Sequence, residues 1–302
     1  MTPLSNQDLS DFNRQGFLLI KKVFKPDEII RIRELLYRAR ERVEKKHQLD
    51  SASFKKPLYP KWMEFDELFS TPELRSVSYI VLDNRVISYA KQLIGEDLVY
   101  FGDSEFNIGT KPGGWHKDNT HRANPNSDDW RGNYPIIRFG LYLQDHKQHS
   151  GGLKVIPKSH MYVSRHHADG TWGGRLHFGA GRGMMIDSEI GDLIVWNLRT
   201  SHSGFSVRVK FAPNLSLHPL VERIVPRVLR VPEQKERIMI NLVFGLPGPD
   251  LDRYNSHGRN KITRWTPNIA ALAQEKRVEV LLPGNMEQVF RDPDDCALDQ
   301  SK

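Results

Sequence analysis

From Leu98 onward the chain is a succession of short apolar runs: LVYFG, EFNIG, IIRFGLYLQ, GLKVIP, DLIVWNL and RIMINLVFG. Gly, Pro, Asn and Asp separate them. The runs are short and rich in β-branched and aromatic residues, so they read as strands. Many short strands with irregular connections confine this region to an antiparallel sandwich or barrel. The stretch before Leu98 has another character. FLLIKKVF, residues 17–24, follows Gln15-Gly16 and reads as a strand. Pro26 then suits a first helical position, and Asp27 and Glu28 suit the positive end of a helix. Ile29, Ile32, Leu36, Ala39 and Val43 recur at steps of three and four, which makes one buried stripe. A second helical region is expected over residues 72–93 and another at 267–274. The expected fold class is α+β, with a mainly β core and helices packed outside it. The 302 residues suffice for one domain of this kind. It divides into an N-terminal strand and helices (1–97), a core (98–247) and a C-terminal extension (248–302).

Several classes fall away. The longest apolar runs, such as FLLI at 17–20, are far too short to span a membrane. The N-terminus MTPLSNQDLSDF lacks the basic start and apolar run of a signal peptide. The expectation is a cytoplasmic protein with no membrane partner. Cys296 is the one cysteine, so an internal disulfide and a thiolate metal site are both excluded. The net charge of +7 is scattered, and its densest run, RARERVEKK at 38–46, alternates with Glu as a solvated helix face does. Nucleic acid is therefore not the expected partner. An anionic small substrate explains the charge as well as surplus surface charge does.

The chemistry is concentrated in GGWHKDN, residues 113–119. In an extended backbone His116 and Asp118 point to one side and Lys117 to the other. A second feature is DLIVWNLRTSHSG, residues 192–204, where an apolar strand runs up to His202 beside a turn of small residues. Two histidines and one carboxylate on one face of an iron leave positions open for a bidentate co-substrate and O2.

Five segments in order resemble the phytanoyl-CoA dioxygenase family of Fe(II)/2-oxoglutarate oxygenases, ectoine hydroxylases included. They are FNRQGFLLIKKVFKPDEIIRIRELL, EFNIGTKPGGWHKD, FGLYLQDHKQHSGGLKVIPKSHM, GDLIVWNLRTSHSG and RIMINLVFG, and they cover nearly the whole chain. The resemblance implies a double-stranded β-helix, a jelly roll with flanking N-terminal helices. It implies Fe(II) held by His116, Asp118 and His202, with 2-oxoglutarate and O2 as co-substrates. It also implies hydroxylation, desaturation or ring closure at an unactivated C–H bond of a small molecule, with release of succinate and CO2. Asp118 stands where halogenating relatives carry a small residue, which favours hydroxylation. Arg237 matches the arginine that grips the far carboxylate of 2-oxoglutarate, with Arg208 the second choice and Arg230 the third. The enlarged stretch 209–236 separates Arg237 from His202 and is expected to act as a lid.

Other assignments follow from the same resemblance. Asn107 is a further 2-oxoglutarate contact or an ordinary strand residue. Arg138 shares a strand face with Gly140 and Tyr142, and it holds an anion or closes a salt bridge at the barrel mouth. Arg122 and Trp172 are candidate substrate contacts, the latter in a Gly-rich loop over 164–181. His160 is expected to be structural, while His121, His146, His149, His166 and His167 are expected in exposed loops. A jelly-roll binding module with a structural metal or none, and an oxygenase acting on nucleic acid, are the alternative functions.

Overall fold

The computed structural model describes residues 2–49, 63–66, 77, 79–109, 114–122, 124–163, 183–256 and 279–280. Helix α1 (Asn6–Gln15) starts at Ser5, whose side chain accepts from the Asp8 N–H while Asp8 bonds back to the Ser5 backbone. It ends at Gly16, with φ at 82°. A Cβ there would lie 2.3 Å from His160 Nδ1, so glycine alone allows the close turn into β1 (Phe17–Ile20). The strand is shorter than the 17–24 run suggested. Asp192 captures the Lys22 N–H and the Lys21 ammonium, and Lys22 turns to φ 55°, which takes the chain off the sheet edge.

Helix α2 (Pro26–Leu49) buries Ile29, Ile32, Leu36 and Ala39, four positions of the stripe its spacing predicts; the burial of the fifth, Val43, lies outside what the structure describes. Helix α3 (Asn84–Ile94) fills the later part of the region expected at 72–93, and Asp83 caps it by accepting from the Arg85 N–H; residues 72–76 and 78 lie outside the described residues. Short 3-10 turns precede it. The helix expected at 267–274 lies outside the described residues.

The strands are β2 (Met63–Asp66), β3 (Val99–Ile108), β4 (Ile136–Tyr142), β5 (Lys154–Val155), β6 (Met184–Met185), β7 (Leu193–Asn197), β8 (His202–Ser203), β9 (Ile238–Gly245) and β10 (Glu279–Val280). LVYFG and EFNIG join into the single strand β3, with its irregularity between Tyr100 and Ser104. The larger sheet runs β1-β7-β4-β9-β3-β10, with β2 also on β3, and the smaller runs β6-β5-β8. Pairing is antiparallel except between β10 and β3.

Alternation gives the larger sheet two unlike faces. Ile137, Phe139, Leu141, Val195, Ile240 and Phe244 pack against α2 and α3 in one apolar core. Tyr142, Ile194, Trp196 and Met239 point the other way and pack with Leu153, Val155 and Ile186 from the smaller sheet. The sheets therefore face each other as a jelly roll with helices outside. Burying each Leu, Ile or Phe contributes about 1.5–3 kcal/mol, so the outer face supplies most of the cohesion. Among the described residues no helix is long and apolar enough to cross a membrane.

Candidate metal centre

The HxD segment docks on the end of β7 and the start of β8. His116 and His202 exchange backbone hydrogen bonds of 2.9 and 2.8 Å, and the Asp118 N–H donates to Leu198 O at 2.9 Å. This short ladder sets the imidazoles side by side, with ring centroids 4.2 Å apart. Asp118 Oδ2 lies 3.4 Å from His202 Nε2, and Oδ1 lies 3.8 Å from His116 Nε2. One ligand atom from each of the three residues falls within 4.8 Å of the others, as one metal ion requires.

Both rings are oriented from behind. His116 Nδ1 donates to Gly114 O and His202 Nδ1 to Thr200 O, each at 3.0 Å. A carbonyl only accepts, so each Nδ1 carries a proton, which leaves Nε2 as the nitrogen that can face a metal. Burial drives the His202 pKa down to about 4, with Asp118 opposing and His116 and Arg138 assisting. The ring is neutral at physiological pH, the form a metal needs.

Lys117, between the two ligands, points away from them and is fully buried. Its Nζ donates to the carbonyls of Ser159 and Arg199, on the two segments that flank the dyad. Burial lowers its pKa to about 6, with Arg199 adding to the shift. Arg122 Nη1 donates to Lys117 O at 3.0 Å, so this guanidinium holds the backbone between the ligands.

Arg237 stands just before β9 and is buried. Its Nε donates to Gly151 O at 3.0 Å, and its guanidinium lies over the Tyr142 ring, 5.3 Å from the centroid. Among the described residues no carboxylate balances this charge, a costly state for a buried cation without an anionic ligand. Arg208 is different. Its donors go to the carbonyls of His146, His149 and Pro213 and to the Asp187 carboxylate. Arg230 donates to the carbonyls of Val225, Glu222 and Arg223. Asn107 pairs with Met239 across β3 and β9, which puts it on the inner face.

Arg138 is also on that face, facing three carboxylates: Asp103 at 3.3 Å, Glu105 at 3.5 Å and Asp118 at 3.6 Å. Its charge is matched within the protein, as in the salt-bridge alternative. Asp103 and Glu105 were not anticipated. The alternation of Glu105 and Asn107 on the strand leading to the dyad was the available signal. Asp103 also accepts from the Tyr254 hydroxyl at 2.5 Å, and Glu105 accepts from Asn241. Gly140 makes room for Trp196: a Cβ would lie 2.9 Å from the indole, which in turn sits 5.3 Å from the His202 ring. Trp196 Nε1 and Asn241 Oδ1 are buried with no hydrogen-bond partner among the described residues, so the interior can still receive a polar ligand.

His146 corrects the expectation of an exposed loop, being 1% exposed. It packs edge-on against Tyr142 with centroids 4.6 Å apart and bonds to Gln144 at 3.0 Å and Ser188 at 3.3 Å. Gly152 lets the hairpin backbone close over it, since a Cβ would lie 3.0 Å from the His146 side chain. Burial pushes its pKa well down, so it is neutral. His160 is buried and bonded to Asn13 O at 3.0 Å, a structural contact. His121 is partly buried against Ser127, 2.9 Å away. Trp172, His166 and His167 lie outside the described residues, as does the whole of the 164–181 loop. The 209–236 stretch contains α4 (Pro219–Ile224) and a 3-10 turn at Arg227–Leu229. Glu222 ties it to the smaller sheet through an ion pair of 2.5 Å with Lys154, the residue opposite Ser203 of β8.

The sequence model of the phytanoyl-CoA dioxygenase family matches residues 12–210. An ectoine dioxygenase of Streptomyces coelicolor is 30% identical over 166 residues, 52% of each chain. One from Streptomyces anulatus is 29% identical over 175 residues, again 52% of each. The chain thus spans about half the length of the relatives it matches. In fold it is similar to HygX of Streptomyces hygroscopicus with nickel and 2-oxoglutarate bound, at 16% identity, a TM-score of 0.52, and 80% and 87% of the two chains. The carbocyclase SnoK from nogalamycin biosynthesis gives 14% identity and a TM-score of 0.52 over 82% and 88%.

Proposed function

The chain belongs to the phytanoyl-CoA dioxygenase family, and from that premise we propose that it is a non-haem Fe(II)- and 2-oxoglutarate-dependent oxygenase that hydroxylates a small metabolite. The observation that carries this reading is the constellation of His116, Asp118 and His202. Two imidazoles and a carboxylate are the donor set of a facial Fe(II) site. His116 and His202 would bind through Nε2, because Nδ1 of each is engaged by a carbonyl. Asp118 would complete the set.

Arg237 would grip the far carboxylate of 2-oxoglutarate through two parallel N–H bonds. The Tyr142 ring under the guanidinium fixes its plane, and Asn107 offers a polar contact on the same face. When bound, iron and 2-oxoglutarate supply the activation of O2 that no side chain can provide, and succinate and CO2 are the products. The chain contributes position and dryness. Trp196, Tyr142, Met239 and Val155 wall the interior against bulk water. Arg138 offsets the carboxylates of Asp103 and Glu105 beside Asp118, so the wall next to the metal is not left with unopposed negative charge.

Relatives named for ectoine, and a HygX complex holding hygromycin B, support a polar small-molecule substrate. A carboxylate at position 118 supports hydroxylation, with desaturation and ring closure as the other outcomes that substrate placement selects. The chain acts as one cytoplasmic catalytic domain.

The test is an anaerobic titration with Fe(II) and 2-oxoglutarate, following the visible band of the complex, and then succinate release under air. The expected result is a band in the wild type that His116→Ala and His202→Ala lose. A wild type that binds no iron and shows no band would return the protein to the binding-module reading.

A further inference from the structure

Six of the eleven large apolar side chains exposed among the described residues lie between positions 211 and 229. They are Phe211 (75% exposed), Leu215, Val221, Ile224 (77%), Val228 (72%) and Leu229. Single exposed apolar residues are ordinary on any protein, but a cluster marks a contact surface. These six belong to one compact unit. The Lys210 N–H donates to Leu229 O, and Val209 bridges to Arg230. Arg230 in turn donates to the carbonyls of Glu222 and Val225, which fastens α4 to the Arg227–Leu229 turn. The unit begins where the family match ends, at residue 210.

The charges of the same unit have one sign. Lys210, Arg223 and Arg227 are exposed, whereas Glu222 is buried against Lys154. Exposed Phe, Ile, Val and Leu among cations form the surface that sits at the headgroup–acyl boundary of an anionic membrane. A second copy of the chain is a poorer occupant. A two-fold contact sets a patch against itself, and here it would bring the cations Lys210, Arg223 and Arg227 of one copy against a patch of the same sign. We propose that the exposed face of residues 210–229 docks on an anionic lipid bilayer, apolar side chains inserted and the three cations against the headgroups. Lying on a membrane needs no spanning helix, so the absence of one among the described residues does not bear on it. Glu222 and Lys154 link the docked face to the smaller sheet, where His202 begins β8.

The full chain would be sedimented with phosphatidylcholine vesicles containing about one-third phosphatidylglycerol, and with pure phosphatidylcholine. The expected result is pelleting with the anionic vesicles, weaker by about tenfold or more on the neutral ones and reduced by high salt. The triple variant Phe211→Ser, Ile224→Ser, Val228→Ser should lose about tenfold or more of the binding. So should Arg223→Glu with Arg227→Glu, both with unchanged circular dichroism and thermal midpoint. Absence of pelleting with the anionic vesicles overturns the proposal. So does undiminished pelleting of the triple variant, or a wild-type dimer that the triple variant dissolves. Neither iron nor co-substrate enters the measurement, so its failure leaves the oxygenase reading untouched.

Discussion

The two faces of the larger sheet are built by the same strands and carry opposite loads. On β4, Ile137, Phe139 and Leu141 enter the apolar core under the helices, while Arg138, Gly140 and Tyr142 line the barrel interior. On β9, Ile240 and Leu242 face the helices, while Met239 and Asn241 face inward. A step of one residue moves a side chain from cohesion to chemistry. Polar and charged groups are tolerated inside because apolar burial on the other face holds the sheet.

That division can be broken from either side. The largest effect is expected inside. Asp118→Ala should abolish both the iron–2-oxoglutarate band and succinate release, with a smaller shift in thermal midpoint than any outer-face truncation causes. The complementary change, Phe139→Ala on the outer face, should cost about 3–5 kcal/mol in a urea melt through the cavity it leaves. The fraction still folded should keep the band. A variant of Phe139 that stayed stable and lost the band would show that the faces are not independent.

Next comes pH. The folded His202 pKa of about 4 lies below its ordinary 6.5, because burial disfavours the charged ring. Between those values the unfolded chain binds a proton that the folded one does not. Metal-free protein should therefore lose stability as pH falls through that window, by on the order of 3 kcal/mol from this residue. Melts of the apo protein at stepped pH check it: His202→Gln should flatten that part of the slope. Arg237→Ala should raise the KM for 2-oxoglutarate about 30-fold, near 2 kcal/mol, with a milder effect in Arg237→Lys. Equal KM values in wild type and Arg237→Ala would move the anchor elsewhere. The smallest effect is expected from Gly140→Ala, at about 1–2 kcal/mol, because the new methyl meets the Trp196 ring. There an inner-face position would act through packing rather than chemistry.

The sequence by itself determined the elements that rest on local periodicity. The 3.6-residue stripe of α2, the strands from Leu98 onward and the extended HxD geometry are properties of neighbours in the chain. The resemblance then supplied an order for five segments. Where long-range contacts compete, local reading stopped short. It left β1 too long, because it could not see Asp192 pulling the chain off the sheet edge. It exposed His146, which a glycine-rich hairpin covers.

Only the tertiary structure decided which charges meet. Arg208 spends its donors on carbonyls and Asp187 and Arg230 on carbonyls, while Arg237 lies over Tyr142 with no carboxylate beside it among the described residues. Arg138 finds Asp103 and Glu105 because β3 reaches it through β9, two strands joined by pairing across more than a hundred residues of chain. Periodicity fixes which side of a strand a residue faces. Register, strand order and burial fix what it faces, and those are set by the packing of the whole chain.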